Sequence, residues 1–140
     1  MIKRKCDTVY TLGFDSGSTS TNAVILDENR QIKAFSVVRT GAKSSQSADA
    51  ALADVLKKAG LNREDISLIV STGYGRVSIP FADKNVTEIS CHGKGAHLLF
   101  PDVHTLLDIG GQDSKAIRLN DKGAVAEFVM NDICAAGTAR

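Results

Sequence analysis

Cysteine is scarce in this sequence, and the few cysteines do not form a familiar pattern. The 140 residues contain three, Cys6, Cys91 and Cys134, at long spacings and without a CxxC motif. An odd count at such spacings excludes a disulfide framework and a zinc knuckle. A buried structural thiol is therefore the starting interpretation of each cysteine, before its sequence context is considered.

An excess of one charge and long apolar runs are also lacking. There are 17 Lys and Arg residues against 16 Asp and Glu residues, so the formal net charge is +1. This balance gives no electrostatic reason to expect a nucleic-acid partner. No apolar stretch reaches the roughly 18 residues of a membrane span, and no apolar signal segment follows the basic residues at 3–5. We therefore expect a cytoplasmic protein that binds neither nucleic acid nor membrane.

The hydrophobic pattern alternates between strands and helices. Strands are predicted at 8–14, 23–26, 32–38, 65–73, 85–90, 103–111, 113–121 and 124–130. Helices are predicted at 48–60 and 91–100, and a third begins in the last ten residues with Asn131 or Asp132 as its cap. Alternation of this kind indicates an α/β layered fold.

The sequence repeats part of itself at a shift of 93 residues. Asp15 falls on Asp108, and further matches join Gly17 to Gly110, Ala23 to Ala116, Val24 to Ile117, Leu26 to Leu119, Ile32 to Val125 and Phe35 to Phe128. Each copy reads as a strand, a D-x-G turn, a strand, a turn and a strand. Because this period is too long for a solenoid, we predict a duplicated lobe. We place the first lobe at 1–104 and the first three strands of the second at 105–140.

The two D-x-G turns are candidate phosphate-binding loops. Asp15 offers a hard oxygen ligand that would orient Mg²⁺ through water, and backbone and hydroxyl groups for phosphate come from Gly17, Ser18, Thr19 and Thr21. The second turn, "DIGGQD", offers Asp108, Gly110, Gly111, Gln112 and Asp113. The alternative interpretation is that both are ordinary tight hairpin turns, in which Asp, Gly and Ser are favoured for conformational reasons alone.

Five ordered motifs make the chain resemble one branch of the actin, hexokinase and Hsp70 nucleotide-binding superfamily. They are "GFDSGSTSTNAVIL" at 13–26, "STGYGR" at 71–76, "EISCHGKGA" at 88–96, "DIGGQDSKAI" at 108–117 and "FVMNDICAAGT" at 128–138. The branch is the BadF/BadG/BcrA/BcrD-type ATPases, which include activators of 2-hydroxyacyl-CoA dehydratases and benzoyl-CoA reductase subunits. The resemblance implies an α/β, actin-like (ribonuclease H-like) ATPase lobe with a mixed sheet, followed by the first three strands of a second lobe.

The resemblance also implies a function, an ATP-dependent electron-transfer activator of a 2-hydroxyacyl-CoA dehydratase or a related CoA-ester reductase. Family members bind ATP or ADP with Mg²⁺ and are homodimers that share a [4Fe–4S] cluster. Ferredoxin or flavodoxin supplies the electron that the dehydratase component receives. The implied catalytic residues are Asp15, Asp108 and Asp113. The N-D-x-C-A-A-G-T motif makes Cys134 a cluster ligand at a helix N-terminus, where a thiolate is favoured.

Two further family motifs contain residues for which we expect structural or contact roles. Cys91 is expected to be a packed structural thiol, and His92 a hydrogen-bonding partner rather than a metal ligand. Tyr74 and Arg76 are candidates for contacts with the other lobe or with a partner.

The sequence departs from the family pattern in length and at single positions. Relatives are much longer, so the chain matches an N-terminal half and lacks the second cysteine ligand and the glycine-rich adenosine motif. Asn22 and Ile133 replace usual lysines, and Ala139 replaces a usual glycine. We therefore expect an N-terminal portion of a longer or split activator, with a complementary C-terminal half among its partners and weak or no ATP hydrolysis by itself. The alternatives are an inactive truncated lobe with at most weak phosphate binding, and a small-molecule kinase of the same superfamily.

Overall fold

The computed structural model describes residues 8–41, 44–110 and 113–131, which divide after Val86 into two compact units. The first unit contains β1 (Tyr10–Ser16), β2 (Ser20–Leu26), β3 (Ile32–Arg39), α1 (Ser44–Ala59), β4 (Ile66–Thr72) and β5 (Lys84–Asn85). The second contains α2 (Glu88–Leu99), β6 (Thr105–Ile109), β7 (Ser114–Leu119) and β8 (Val125–Asn131). Within these residues, no helix is long and apolar enough to cross a membrane.

The first unit is a five-stranded mixed sheet with one helix against it. Its order is β3-β2-β1-β4-β5, antiparallel from β3 to β1 and parallel from β1 to β5. Alternate residues of each strand point to one face, where Leu12, Phe14 and Ile25 are buried. Helix α1 packs on β2 and β3 and buries Ala51 and Val55 in the same core.

The second unit is a three-stranded antiparallel sheet of order β6-β7-β8, with α2 packed on β7 and β8. Ile117 and Leu119 are buried beneath the helix. Gly93 permits the close approach, because a Cβ there would lie 2.9 Å from Leu119 Cδ2 and 3.3 Å from Val125 Cγ2.

The strand predicted at 85–90 is wrong over most of its length. Only Asn85 of that segment lies in a strand, as the last residue of β5, and α2 begins at Glu88. The local reason is a helix cap: the Thr87 side chain accepts a hydrogen bond from the Ser90 N–H at 3.4 Å. A capping threonine followed by a glutamate in the first turn favours a helix start over the β-branched residues that suggested a strand.

The two copies of the predicted duplication share a feature of their strand pairing. Leu26 pairs with Ile32, and Leu119 pairs with Val125, in each case at a register shift. The division into units nevertheless falls before α2, whereas the lobe limits of 1–104 and 105–140 placed this helix in the first lobe. Those limits stay a prediction.

Candidate functional site: two related hairpin turns

The first candidate loop closes the hairpin between β1 and β2. Asp15 pairs with Asn22 on β2 and with Thr72 on β4, so the three residues form a row on one face of the sheet. The turn is closed by the Gly17 N–H, which donates to the Ser20 carbonyl at 3.0 Å. A Cβ at Gly17 would lie only 2.9 Å from that oxygen, so the turn requires glycine.

Two threonine hydroxyl groups hold this turn in place, one on β2 and one directly after β3. Thr40 Oγ1 donates to the Gly17 carbonyl at 2.9 Å, and the Thr40 N–H donates to the Thr19 carbonyl at 3.0 Å. Thr21 is fully buried and shares a 2.9 Å hydrogen bond with the Thr40 hydroxyl. Ser18 and Thr19 are exposed at the tip. Of the four predicted ligand-binding residues of this turn, Ser18 and Thr19 are thus exposed and Gly17 is half-buried. Thr21 is buried and holds the loop.

The segment "STGYGR" lies against this turn, and the sequence did not assign it to the site. The Gly75 N–H donates to the Ser16 carbonyl at 2.9 Å. Gly73 has φ 88°, and a Cβ there would be 2.6 Å from the Ser16 carbonyl and against the Asp15 carboxylate. Only glycine fits this position. The sequence feature that could have assigned this segment to the site is the pair of glycines directly after β4. This strand is parallel to β1, so both strands end at the same side of the sheet.

The first turn has polar groups that lack partners. Among the described residues, the buried hydroxyls of Ser16 and Thr72 have no hydrogen-bond partner, and no ion pair reaches Asp15. Unpaired buried hydroxyls are uncommon and call for a missing partner. A carboxylate without a cation, in the same row as the unpaired Thr72 hydroxyl, fits a hydrated Mg²⁺ and a phosphate group.

The second candidate loop repeats this turn with different chemistry. The Gly110 N–H donates to the Asp113 carbonyl at 2.8 Å, in the same place as the bond from Gly17 to Ser20. Lys115, whose position corresponds to Asn22, approaches Asp113 Oδ1 at 2.8 Å and Asp108 Oδ2 at 3.6 Å. His92 Nδ1 of α2 lies 3.0 Å from Asp108 Oδ2. The hydrogen-bonding role of His92 stays a prediction.

Lys115 is the residue of this second turn that sequence reasoning missed. Its side chain is almost fully buried, yet its pKa is raised. Burial is the largest single influence and lowers the pKa, but it is outweighed by the hydrogen bond and charge of Asp113 and by the charges of Asp108 and Glu88. Lys115 is therefore a fixed cation that already neutralises part of the two carboxylates. The sequence feature that could have identified Lys115 is its position opposite Asp108, on a strand in which residues alternate between the two faces of the sheet.

Three of the predicted site residues, Gly111, Gln112 and Cys134, lie outside the described residues. Cys91 is half-buried and lines a cavity of about 300 Å³, together with His92, Ala96 and Asp108. Within the described part of the chain, no group of three or more His, Cys, Asp or Glu residues could hold a metal ion.

Comparison with protein families gives one match over nearly the whole chain. Residues 12–140 match the model of the BadF/BadG/BcrA/BcrD ATPase family. The activator of lactoyl-CoA dehydratase from Anaerotignum propionicum is 53% identical over 132 residues, which are 94% of this chain and 51% of that protein.

Two solved structures are similar in both sequence and fold. Component A of the Acidaminococcus fermentans (R)-2-hydroxyglutaryl-CoA dehydratase superposes with a TM-score of 0.85 at 43% identity, covering 91% of this chain and 49% of that one. The Clostridium difficile activator of 2-hydroxyisocaproyl-CoA dehydratase, with bound ADPNP, gives 0.83 at 41% identity over 91% and 47%. The predicted actin-like α/β fold and the predicted family are thereby confirmed. The chain spans about half the length of these relatives.

Proposed function

The chain belongs to the BadF/BadG/BcrA/BcrD ATPase family, and from this premise we propose that it forms the phosphate-binding part of an ATP-dependent activator. The protein activated would be a 2-hydroxyacyl-CoA dehydratase or a related CoA-ester reductase. The proposal is supported by 53% identity to the Anaerotignum propionicum activator over 94% of the chain. It is supported independently by the first turn, where polar groups lack partners among the described residues.

The first turn would bind the nucleotide phosphates and the metal. Asp15 would hold Mg²⁺ through water, and Mg²⁺ when bound would offset charge on the phosphate oxygens. The backbone N–H groups and hydroxyls of Ser18 and Thr19 would donate to those oxygens. Thr21 and Thr40 would keep the turn in shape. The observation that carries this assignment is the Asp15 carboxylate, which has no ion pair among the described residues and lies in one row with the unpartnered Thr72 hydroxyl.

The second turn would act differently from the first. Gly111 and Gln112 would supply backbone and amide donors in the turn that the Gly110 N–H closes. Asp108 and Asp113 are held by Lys115. Because this lysine already partly neutralises the carboxylates, the second turn attracts a metal ion less strongly than the first. We therefore assign metal binding to Asp15 and water or phosphate orientation to Asp108 and Asp113.

A titration of the full chain with ADPNP tests the nucleotide site. We expect binding that requires Mg²⁺ and weakens about tenfold or more in Asp15→Asn, because a charged ligand is lost. Asp49→Asn is the matched control, since Asp49 is an exposed residue of α1 in the same unit. Absence of Mg²⁺-dependent binding at millimolar ADPNP would leave the inactive-lobe alternative. Transfer of the γ-phosphate of ATP to a sugar or carboxylate would favour the kinase alternative.

We also propose that Cys134 is one thiolate ligand of a [4Fe–4S] cluster shared between two subunits. Such a cluster takes four thiolates and, when bound, would supply one-electron transfer between ferredoxin or flavodoxin and the dehydratase component. The support is the motif around Cys134 and membership of the family. One matching cysteine per chain provides two ligands in a dimer, so a complete cluster would require a further cysteine from the complementary half.

Anaerobic reconstitution with iron and sulfide tests this assignment. The chain is combined with the half of the Anaerotignum propionicum activator that lies outside the matched region. We expect a visible absorbance band that disappears in Cys134→Ser and persists in Cys91→Ser. A band unchanged by Cys134→Ser would exclude Cys134 as a ligand, and a stoichiometric cluster on the chain alone would show that no further cysteine is needed.

A further inference from the structure

The residue opposite the aspartate differs in charge between the two turns. Asn22 of β2 pairs with Asp15 across the first hairpin. At the equivalent place, 93 positions further on, Lys115 of β7 pairs with Asp108, and its Nζ lies 3.6 Å from Asp108 Oδ2. Asp15 has no ion pair among the described residues. A neutral amide in one copy therefore occupies the position of a cation in the other.

The same difference extends to a neighbour on the strand. The Asn22 Nδ2 donates to Ser20 Oγ at 3.4 Å. The Lys115 Nζ donates to Asp113 Oδ1 at 2.8 Å, and Asp113 corresponds in position to Ser20. In both turns the carbonyl of this neighbour also accepts the N–H that closes the turn, at 3.0 and 2.8 Å. The two copies thus share this arrangement of groups and differ in its charge.

The other cations near the first turn do not pair with Asp15. The Arg76 guanidinium donates to a backbone carbonyl of the loop after β4 at 3.0 Å. By register, Arg39 of β3 and Lys84 of β5 lie on the same face of the sheet as Asp15, but each is two strands away from β1. The residues on either side of Asp15 in its row are neutral. No described side chain therefore offsets the charge of this carboxylate directly.

A phosphate chain at the first turn would meet a carboxylate of its own sign. Like charges in one site repel, and the repulsion is stronger where water is partly excluded. Mg²⁺ when bound would supply positive charge between the carboxylate and the phosphate oxygens. In the second turn the chain provides such a charge itself, through Lys115. The first turn thus depends on a cation that the ligand must bring.

We propose that Asn22 restricts the first turn to the magnesium complex of a nucleoside triphosphate and excludes the metal-free nucleotide. A lysine at this position would hold Asp15 as Lys115 holds Asp108, and it would offer an ammonium group to phosphate oxygens. The inference rests on the proposed function, because it presupposes that this turn binds nucleotide phosphates. It adds which form of the nucleotide the turn accepts and which residue decides it.

The test compares ADPNP binding with and without Mg²⁺ in the full 140-residue chain. NMR shift titrations of the unchanged chain and of Asn22→Lys are made in excess Mg²⁺ and in EDTA. We expect the unchanged chain to bind about tenfold or more tightly with Mg²⁺ than without it. In Asn22→Lys the affinity in EDTA should rise about tenfold or more, so that the ratio of the two affinities approaches one.

Two control variants separate the charge at position 22 from other effects. Asn22→Met has about the bulk of a lysine without its charge, so the ratio of affinities should stay high. Asn29→Lys adds the same charge at an exposed position in the turn between β2 and β3, at the opposite end of β2. Because salt screens a charge at that separation, the ratio should stay high there as well.

A measurement without nucleotide or metal tests the geometry by itself. In Asn22→Lys the new ammonium group should pair with Asp15, as Lys115 pairs with Asp108. Adding Asp15→Asn should therefore lower the urea midpoint of Asn22→Lys more than it lowers that of the unchanged chain. Equal shifts would show that a side chain at position 22 does not interact with Asp15, and the proposal would be wrong.

The titrations separate failure of this inference from failure of the proposed function. A Mg²⁺ requirement that is the same in the unchanged chain and in Asn22→Lys would overturn the inference and leave the phosphate site in place. Loss of the requirement in Asn22→Met or in Asn29→Lys would also overturn it, as would equal binding by the unchanged chain with and without Mg²⁺. Binding by neither protein under either condition would overturn the proposed function, and the inference with it.

Discussion

Arg30 and Gly123 occupy equivalent positions in the two copies of one turn, 93 residues apart, with φ of 62° and 69°. Each follows an Asp or Asn that caps the turn. The Asp27 carboxylate accepts from the N–H groups of Asn29 and Gln31, both at 2.9 Å. The Asn120 side chain accepts from the equivalent Lys122 and Ala124 N–H groups at 2.9 and 3.0 Å. One copy therefore has glycine where the other holds a non-glycine residue in the left-handed region.

Replacing Arg30 with glycine should stabilise the chain. A non-glycine residue in the left-handed region is strained, and relief of this strain exceeds the entropy that glycine adds to the unfolded state, by about 0.5–1 kcal/mol. Chemical denaturation of Arg30→Gly measures the gain, with Arg30→Lys as the control that keeps the strain. A loss of stability in Arg30→Gly would show that the arginine side chain makes a larger contribution than the backbone does.

Two glycines of α2 should respond in opposite directions to the same substitution. A Cβ at Gly95 meets no atom within 4 Å, so Gly95→Ala should stabilise by about 0.5–1 kcal/mol through helix propensity. Gly93→Ala should destabilise by about 1–3 kcal/mol, because its Cβ would press on Leu119 and Val125. Thermal unfolding of both variants checks the pair. A similar response from both would mean that α2 does not pack closely on β7 and β8.

Removing the buried cation of the second turn should be costly. Lys115→Met would leave Asp108 and Asp113 close together without their shared partner, at about 1–3 kcal/mol. Lys94→Met removes an exposed lysine of the same unit and should change stability by less than about 0.5 kcal/mol. Urea unfolding compares them. Equal effects on the free energy of unfolding would show that the ion pairs of Lys115 stabilise the fold by no more than the cost of desolvating them.

The pair of His104 and Asp121 should make stability depend on pH. The hydrogen bond to Asp121, and then that to the Asp102 carbonyl, raise the His104 pKa above its ordinary 6.5. The charged form thus favours folding, and its contribution is complete below pH 6.5 and disappears as pH rises through the folded pKa. His104→Gln should therefore lower the unfolding temperature more at acid than at alkaline pH.

The control for that experiment is a substitution of Asp121, the partner of His104. Asp121→Asn should remove most of the pH-dependent difference, because the main cause of the raised pKa is gone. An equal loss of stability in His104→Gln at both ends of the pH range would contradict the assignment.

Much of the fold could be predicted from local patterns. Alternation of apolar residues predicted β1, β2 and β3, and the D-x-G turns together with their repeat at 93 positions predicted that the second hairpin copies the first. The start of α2 could not be predicted in this way. The β-branched run before it favours a strand, and the capping bond from Ser90 to Thr87 decides otherwise.

The candidate site likewise has features that could be predicted from the sequence and features that could not. The sequence by itself determined the family, the two glycine turns and the residues Asp15 and Asp108, because these depend on residue type and on spacing along the chain. Only the tertiary structure decided that Gly73 and Gly75 lie against Asp15 and Ser16, that Lys115 and His92 hold Asp108, and that Thr21 is buried. These relationships join residues on different strands and helices, and their distances follow from strand register and helix packing, which no local pattern specifies.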